Sequence, residues 1–127
     1  MTLFSQHWLD AYVDELAADR DFPEAARWFN GRVALRCGDE GAWFEIAGGR
    51  VVQAGLGHTP AALFTLSGSE AAWQELFSPR TVNGTINRLF RHGKIHIDGD
   101  MVQVMFFWKM LFWLTEVGDR VPQLVAA

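Results

Sequence analysis

The stretch GKIHIDGDMVQVMFFWKMLFWLTEV, residues 93–117, carries the strongest indication of the fold in this chain. Ile95 and Ile97 alternate with polar residues, which is typical of a short strand with one buried face. The glycine and aspartate at 99–100 predict a turn, and residues 101–117 predict one long helix. A strand that turns directly into a long apolar helix indicates that this helix packs against a sheet.

The predicted C-terminal helix has apolar side chains on two sides. At about 100° per residue, one face holds Met101, Val104, Met105, Trp108, Leu111 and Phe112. A second apolar zone lies nearly opposite and holds Val102, Phe106, Met110, Trp113 and Val117. Such a helix covers two surfaces: the sheet is one, and the other is a second helix, a bound apolar ligand or a partner chain. The flexible thioethers of three methionines favour an adaptable cavity.

Helical and strand periodicities alternate along the rest of the chain. A helical stripe over residues 3–18, with Ser5 as its N-cap, precedes a short helix at 24–29. The other predicted elements are strands at 32–37, 42–47, 50–54 and 61–66 and helices at 71–77 and 85–91. This order predicts a single α+β domain over residues 1–127, with a mostly antiparallel sheet and helices packed on one face.

Composition narrows the class of protein. The 127 residues carry a net charge of −4 without a basic run, so no nucleic-acid partner is expected. Six tryptophans and ten phenylalanines against one tyrosine indicate apolar recognition. The apolar run at 101–114 is shorter than the ~20 residues of a transmembrane helix, and residues 1–10 do not resemble a signal peptide. The single cysteine, Cys37, suits a small core residue and a reducing compartment, so a cytoplasmic location is expected.

Residues that often carry chemistry form no catalytic or metal-binding pattern. His92 and His96 have the spacing of a helical zinc site, but Gly93 breaks the helix between them, so no metal is expected. Asp98 or Asp100 is better explained as the cap of the C-terminal helix. No acid–base pair can be assembled from the sequence. The prediction is therefore a protein that is not an enzyme and has no cofactor.

Three segments resemble the sterol carrier protein-type lipid-binding domain. They are FTLSGS at 64–69, WQELF at 73–77 and GKIHIDGDM at 93–101. The resemblance implies a twisted, five-stranded, mostly antiparallel sheet, helices on one side and an apolar tunnel between them. It also implies non-catalytic binding of a sterol, fatty acid or fatty-acyl-CoA. The sequence departs from the family at Asn83-Gly84, at Asn87 and in the aromatic bulk of its last helix, which fills the tunnel, narrows it or faces a partner chain.

The resemblance also implies which side chains line the tunnel between the sheet and the C-terminal helix. Carried over by position, they are Trp73, Leu76, Phe77, Phe90, Ile95, Met101, Val104, Met105, Trp108 and Phe112. Two alternatives to an apolar-ligand carrier stay open. One is a homodimeric interaction module that uses the second apolar face of the last helix. The other is an isomerase-like enzyme with an apolar pocket, for which Tyr12 is the one available tyrosine.

Overall fold

The computed structural model describes residues 3–59, 61–77 and 85–121. In chain order the elements are α1 (Gln6–Ala18), α2 (Phe22–Ala25), β1 (Gly31–Cys37), β2 (Glu40–Ala47), β3 (Arg50–Leu56), β4 (Ala62–Gly68), α3 (Glu70–Phe77), α4 (Thr85–Arg91), β5 (Ile95–Asp98), α5 (Met101–Phe106), α6 (Trp108–Glu116) and a 3₁₀ turn (Val117–Arg120). Among these helices, none is long and apolar enough to cross a membrane. Asn83-Gly84, where the sequence departs from the family pattern, lies outside the described residues.

The five strands form one sheet in the order β3-β2-β1-β4-β5. Neighbouring strands pair antiparallel except β1 and β4, which run parallel. The β2–β3 hairpin turns at Gly48 and Gly49, whose φ angles of 62° and 80° favour glycine and allow the tight connection that the sequence predicts. The chain then crosses over from β3 at the sheet edge to β4 beside β1. The α+β fold with a five-stranded, mostly antiparallel sheet is therefore confirmed.

The hydrophobic core lies on one face of the sheet. Its buried strand side chains are Val33, Leu35, Phe44, Ile46, Phe64, Leu66 and Ile95. Helix α1 packs on this face, and the rings of Tyr12 and Phe44 stack with centroids 5.5 Å apart. On the opposite face the Arg32 guanidinium lies 4.4 Å from the Trp43 ring centroid and also pairs with Glu45. The strands therefore have one apolar and one polar face, as period-2 alternation requires.

Polar caps define where two of the helices begin. The Ser5 hydroxyl accepts a hydrogen bond from the Trp8 amide at 3.1 Å, which confirms the predicted N-cap of α1. One Asp100 carboxylate oxygen accepts from the amides of Val102 and Gln103 at 2.9 and 3.2 Å. Of the two aspartates considered as the cap of the C-terminal helix, Asp100 is the one that caps α5.

A buried aspartate joins three elements near the end of α1. One carboxylate oxygen of Asp19 accepts hydrogen bonds from the amides of Asp21 and Phe22 at 3.0 and 2.8 Å. Its other oxygen accepts from the Arg120 guanidinium at 2.9 Å. Asp19 therefore ties the end of α1 to the start of α2 and to the 3₁₀ turn.

The helix predicted at residues 24–29 is shorter and earlier than expected, because α2 begins at Phe22 with a proline in its first turn.

The single C-terminal helix predicted over residues 101–117 is wrong. The chain bends at Phe107, which has φ −100° and ψ 19° and separates α5 from α6. The Phe107 ring packs edge-on against Phe29, with centroids 5.0 Å apart, and lies 6.3 Å from the Phe64 ring. This packing against the sheet side of the molecule is a tertiary contact that helical periodicity does not encode.

The burial of side chains in α5 and α6 also differs from the two faces predicted for the C-terminal helix. Met101 and Met105, expected on the face toward the sheet, are exposed in α5, whereas Val104 between them is buried. Met110, expected in the second zone, is buried in α6. The buried side chains Val104, Leu111 and Leu114 still follow the spacing of one helix face, so the predicted faces were wrong at Met101, Met105 and Met110.

Candidate functional site

The α3 residues predicted to line a tunnel lie in the packed core. Trp73, Leu76 and Phe77 are all buried. The Trp73 ring lies 5.5 Å from Phe77, and the Phe77 ring lies 5.5 Å from Trp8 of α1. The Trp73 indole donates a hydrogen bond to the Arg36 carbonyl oxygen at 2.9 Å. These aromatic contacts fill the space between α1, α3 and the sheet.

Two more of the predicted residues belong to the same core, a third packs against it and a fourth is exposed. Ile95 of β5 and Val104 of α5 are buried. Phe112 of α6 is half-buried and packs edge-on against Trp113, with ring centroids 4.9 Å apart. Met101 is about half exposed at the start of α5. A lining role in a ligand tunnel stays a prediction for each of these four residues.

The remaining three predicted residues meet in a surface groove, which we call the α4 groove. It is lined by Asn87, Phe90, Arg91, Met105 and Trp108 and has a volume of about 280 Å³. The Phe90 and Trp108 rings form its apolar wall, with centroids 5.4 Å apart. The Trp108 indole N–H donates to the Asn87 side-chain oxygen at 2.9 Å, which fixes the orientation of both side chains. The α4 groove thus brings three of the ten predicted residues together with two polar ones.

The cations beside the α4 groove differ in their ion pairs. The Glu75 carboxylate of α3 pairs with Arg88 at 2.5 Å and with Lys94 at 4.0 Å. Arg91, one turn of α4 further, is exposed and has no ion pair within the described part of the chain. A guanidinium without an ion pair among the described residues therefore lies at the rim of an apolar groove.

A second groove, which we call the Trp28 groove, was not predicted. It has a volume of about 320 Å³ and is lined by Asp21, Glu24, Ala25, Trp28, Phe106, Phe107, Lys109 and Trp113. Trp28 is 71% exposed, although tryptophan is highly buried on average in folded proteins. The sequence signal that points here is the second apolar zone of the last helix, which contains Phe106 and Trp113. The partner side, Trp28 after the short α2, carries no periodicity that could reveal it.

A third groove lies between α1, α2 and β3. It has a volume of about 360 Å³ and is lined by Val13, Leu16, Ala17, Phe22, Pro23, Gly49, Arg50 and Val51. We call it the α1–β3 groove. It is formed by residues far apart in the chain and was likewise not predicted. Its lining is mostly apolar, with Arg50 as the charged side chain.

Tyr12, Cys37 and the possible metal-ligating side chains are the residues whose types could support catalysis or metal binding. The Tyr12 hydroxyl is buried and donates to the Leu114 carbonyl oxygen at 2.6 Å, and Tyr12 does not line the three grooves. Burial, reinforced by the carboxylates of Glu40 and Glu70, raises the pKa of the Cys37 thiol, which weakens it as a nucleophile. Within the described ranges, no three His, Cys, Asp or Glu side chains are grouped so as to hold a metal ion.

The family model of the SCP-2 sterol transfer family matches residues 12–111, which is most of the chain. The chain belongs to the SCP-2 sterol transfer family. The matched segment includes α3, the α4 groove and the Gly-Lys strand on which the resemblance was based. Among curated proteins, no sequence matches this chain.

Several solved structures are similar to this chain in fold. A crystal structure of sterol carrier protein 2 has a TM-score of 0.81 and 20% identity, covering 95% of this chain and all of that one. A conserved hypothetical protein from Thermus thermophilus has a TM-score of 0.74 and 21% identity, covering 97% of this chain and 92% of that one. An inverting sec-alkylsulfatase from Pseudomonas sp. has a TM-score of 0.53 and 20% identity, covering 79% of this chain and 16% of that one. At these identities the likeness concerns the fold, and the function has to be argued from the site.

Proposed function

We propose that this protein binds and carries an apolar ligand, a sterol, a fatty acid or a fatty-acyl-CoA, without catalysing a reaction on it. The observation that carries the proposal is the α4 groove, where Phe90, Met105 and Trp108 converge on one apolar surface. Membership of the SCP-2 sterol transfer family supports the same conclusion. We also propose that the ligand enters at this groove and extends toward the core between the sheet and the last two helices.

The size of the groove indicates that binding requires some movement. At about 280 Å³ it lies just below the usual range for small-molecule sites, about 300–1,000 Å³. Burying about 400 Å² of apolar ligand surface contributes about 10 kcal/mol, and at least about 4 kcal/mol is lost on association, which leaves a dissociation constant of tens of micromolar. A ligand confined to a shallow groove buries less than that, so we infer that its chain passes beneath α5.

Helix α5 is suited to such a movement. It has six residues, and Val104 is its buried side chain, so little core contact is lost when it shifts. The bend at Phe107 separates it from α6, whose side chains Met110, Leu111 and Leu114 are buried. Because α6 anchors the C-terminal segment, α5 can move without unfolding it. The flexible thioether of Met105 can also adjust to ligands of different shape.

The test is a titration of the purified protein with a fluorescent fatty acid and a fluorescent sterol. We expect saturable binding of at least one probe, with an affinity reduced at least about fivefold by Met105→Trp, which fills the groove. Val52→Trp is the matched control, because Val52 is also an exposed apolar side chain but lies on β3, away from the α4 groove. Absence of saturable binding to both probes would contradict the proposal, and equal weakening by the two variants would contradict the location.

A second candidate function is a homodimeric interaction module, and one observation favours it. Val102 and Phe106 are 79% and 73% exposed and lie four residues apart on one side of α5. Apolar patches of this kind are often contact surfaces. Sedimentation velocity at micromolar concentration tests it: a dimer that Phe106→Glu dissociates, and that Gln103→Glu on the same helix leaves intact, would support the module. A monomer at every concentration would exclude it.

A further inference from the structure

The α4 groove has a polar end as well as an apolar wall. Asn87 and Arg91 are four residues apart on α4, so their side chains lie on the same side of that helix. The Asn87 side-chain oxygen is occupied by the Trp108 indole N–H. This bond turns the amide so that its NH₂ group, a donor, is the part available to a ligand.

Arg91 differs from the other cations beside it. Arg88 and Lys94 both pair with Glu75, whose single negative charge offsets one of their two positive charges. Arg91 lines the groove and has no carboxylate partner among the described residues. A guanidinium is always protonated and offers a fork of N–H donors that fits a carboxylate or a phosphate. At its polar end the groove therefore presents the N–H donors of the Arg91 guanidinium and of the Asn87 amide.

We propose that the α4 groove selects an amphiphile with an anionic head, a carboxylate or a phosphate ester on a single aliphatic chain, over a neutral apolar ligand. The head binds Arg91 and the Asn87 NH₂ group, and the chain lies along Phe90, Met105 and Trp108. The inference rests on the proposed ligand-carrying function and narrows its ligand class. A neutral alcohol head cannot use the charge of Arg91, so it gains only the apolar contacts.

The experiment compares three probes with one chain length: dodecanoate, dodecyl phosphate and dodecanol, each below its aggregation concentration at pH 8 and low salt. Isothermal titration calorimetry gives the dissociation constants. We expect the two anionic probes to bind about tenfold more tightly than dodecanol, and this difference to shrink at high salt because the site is exposed to solvent. Tighter binding of the phosphate than of the carboxylate would assign the head as a phosphate ester, and the reverse would assign it as a carboxylate.

Two variants separate the role of Arg91 from a general effect of charge. Arg91→Gln is expected to reduce the affinity for both anionic probes about tenfold and to leave dodecanol binding unchanged. Arg36→Gln removes an equally exposed arginine from β1 and is expected to change none of the three affinities. Arg50→Gln tests the α1–β3 groove, and loss of anionic-probe binding in this variant alone would place the head there and overturn the inference.

The outcomes distinguish this inference from the function on which it rests. Equal affinity for dodecanol and dodecanoate, unaffected by Arg91→Gln, would overturn the head-group inference while supporting an apolar-ligand carrier. Failure of all three probes to bind would overturn both. Because Arg91 is exposed, Arg91→Gln is expected to unfold at the wild-type temperature, so a loss of binding cannot be attributed to loss of the fold.

Discussion

Replacing Tyr12 with phenylalanine removes one buried hydrogen bond and leaves the surrounding ring packing in place. The Tyr12 hydroxyl donates to the Leu114 carbonyl oxygen at 2.6 Å and so joins α1 to the last turn of α6. The Trp8 and Phe44 rings, with centroids 4.8 and 5.5 Å from the tyrosine ring, can keep their contacts with phenylalanine. The variant therefore measures the loss of the hydroxyl without creating a cavity.

The expected loss in the free energy of unfolding follows from the buried position of this hydrogen bond. A typical hydrogen bond contributes about 1 kcal/mol to stability, and a buried acceptor left without its partner costs about 1–3 kcal/mol. Carbonyl groups in the last turn of a helix depend on partners from outside the helix, as the Leu114 carbonyl does here. We expect Tyr12→Phe to lower the free energy of unfolding by about 1–2 kcal/mol. For a chain of this size, that is a fall in Tm of roughly 3–10 °C.

Urea denaturation followed by circular dichroism measures the difference. Thr115→Val is the matched control, because the buried Thr115 hydroxyl donates to the Leu111 carbonyl oxygen, at 3.0 Å, within its own helix. That bond joins no second element, so its removal is expected to cost less than about 1 kcal/mol. A loss for Tyr12→Phe that is below about 0.5 kcal/mol, or smaller than that of Thr115→Val, would refute the reasoning.

Four further outcomes are expected. Gly118→Ala should lower the free energy of unfolding, measured in urea, by about 1–3 kcal/mol, because the added Cβ would overlap the buried Phe77 ring. An unchanged stability would show that this ring moves freely. Asp19→Ala should lower it by about 2 kcal/mol, because the buried carboxylate accepts two backbone hydrogen bonds and an ion pair; a loss under about 0.5 kcal/mol would show that water replaces them. Cys37 should react with iodoacetamide more slowly than free cysteine at pH 8, because burial raises the pKa of its thiol. For the same reason its reaction rate should keep rising with pH above the ordinary thiol pKa. A rate equal to that of free cysteine would contradict the burial. Phe106→Ser should leave the free energy of unfolding within about 0.5 kcal/mol of wild type while reducing the fluorescence of a bound hydrophobic dye, and unchanged dye binding would mean that α5 is not the exposed apolar surface.

Much of the fold could be predicted from local patterns because those patterns have local causes. The Gly48-Gly49 pair specifies a tight turn through its backbone freedom, and the β2–β3 hairpin forms there. Ser5 and Asp100 bind amides two or three residues away, so their roles as caps depend on nothing distant. The alternation of Ile95 and Ile97 likewise corresponds to the buried face of β5.

The candidate site could be predicted only in part. Phe90, Met105 and Trp108 meet in the α4 groove, and their role in ligand binding stays a prediction. Trp73 and Phe77 are apolar and lie on the expected helix, but they are buried among rings contributed by α1. Residue type and periodicity indicate which side chains are buried from solvent. They do not indicate whether another side chain or a ligand takes the space beside them.

The amino-acid sequence alone was enough to indicate the family, the order of elements and an unusually apolar C-terminal segment. The division of that segment into two helices depends on tertiary packing. At the break between the two helices, the Phe107 ring contacts Phe29, 78 positions earlier in the chain. The same long-range packing puts Arg91 at the rim of an apolar groove, while Glu75 pairs with Arg88 and Lys94 beside it. Contacts between distant residues depend on the whole chain having folded, so no local pattern specifies them.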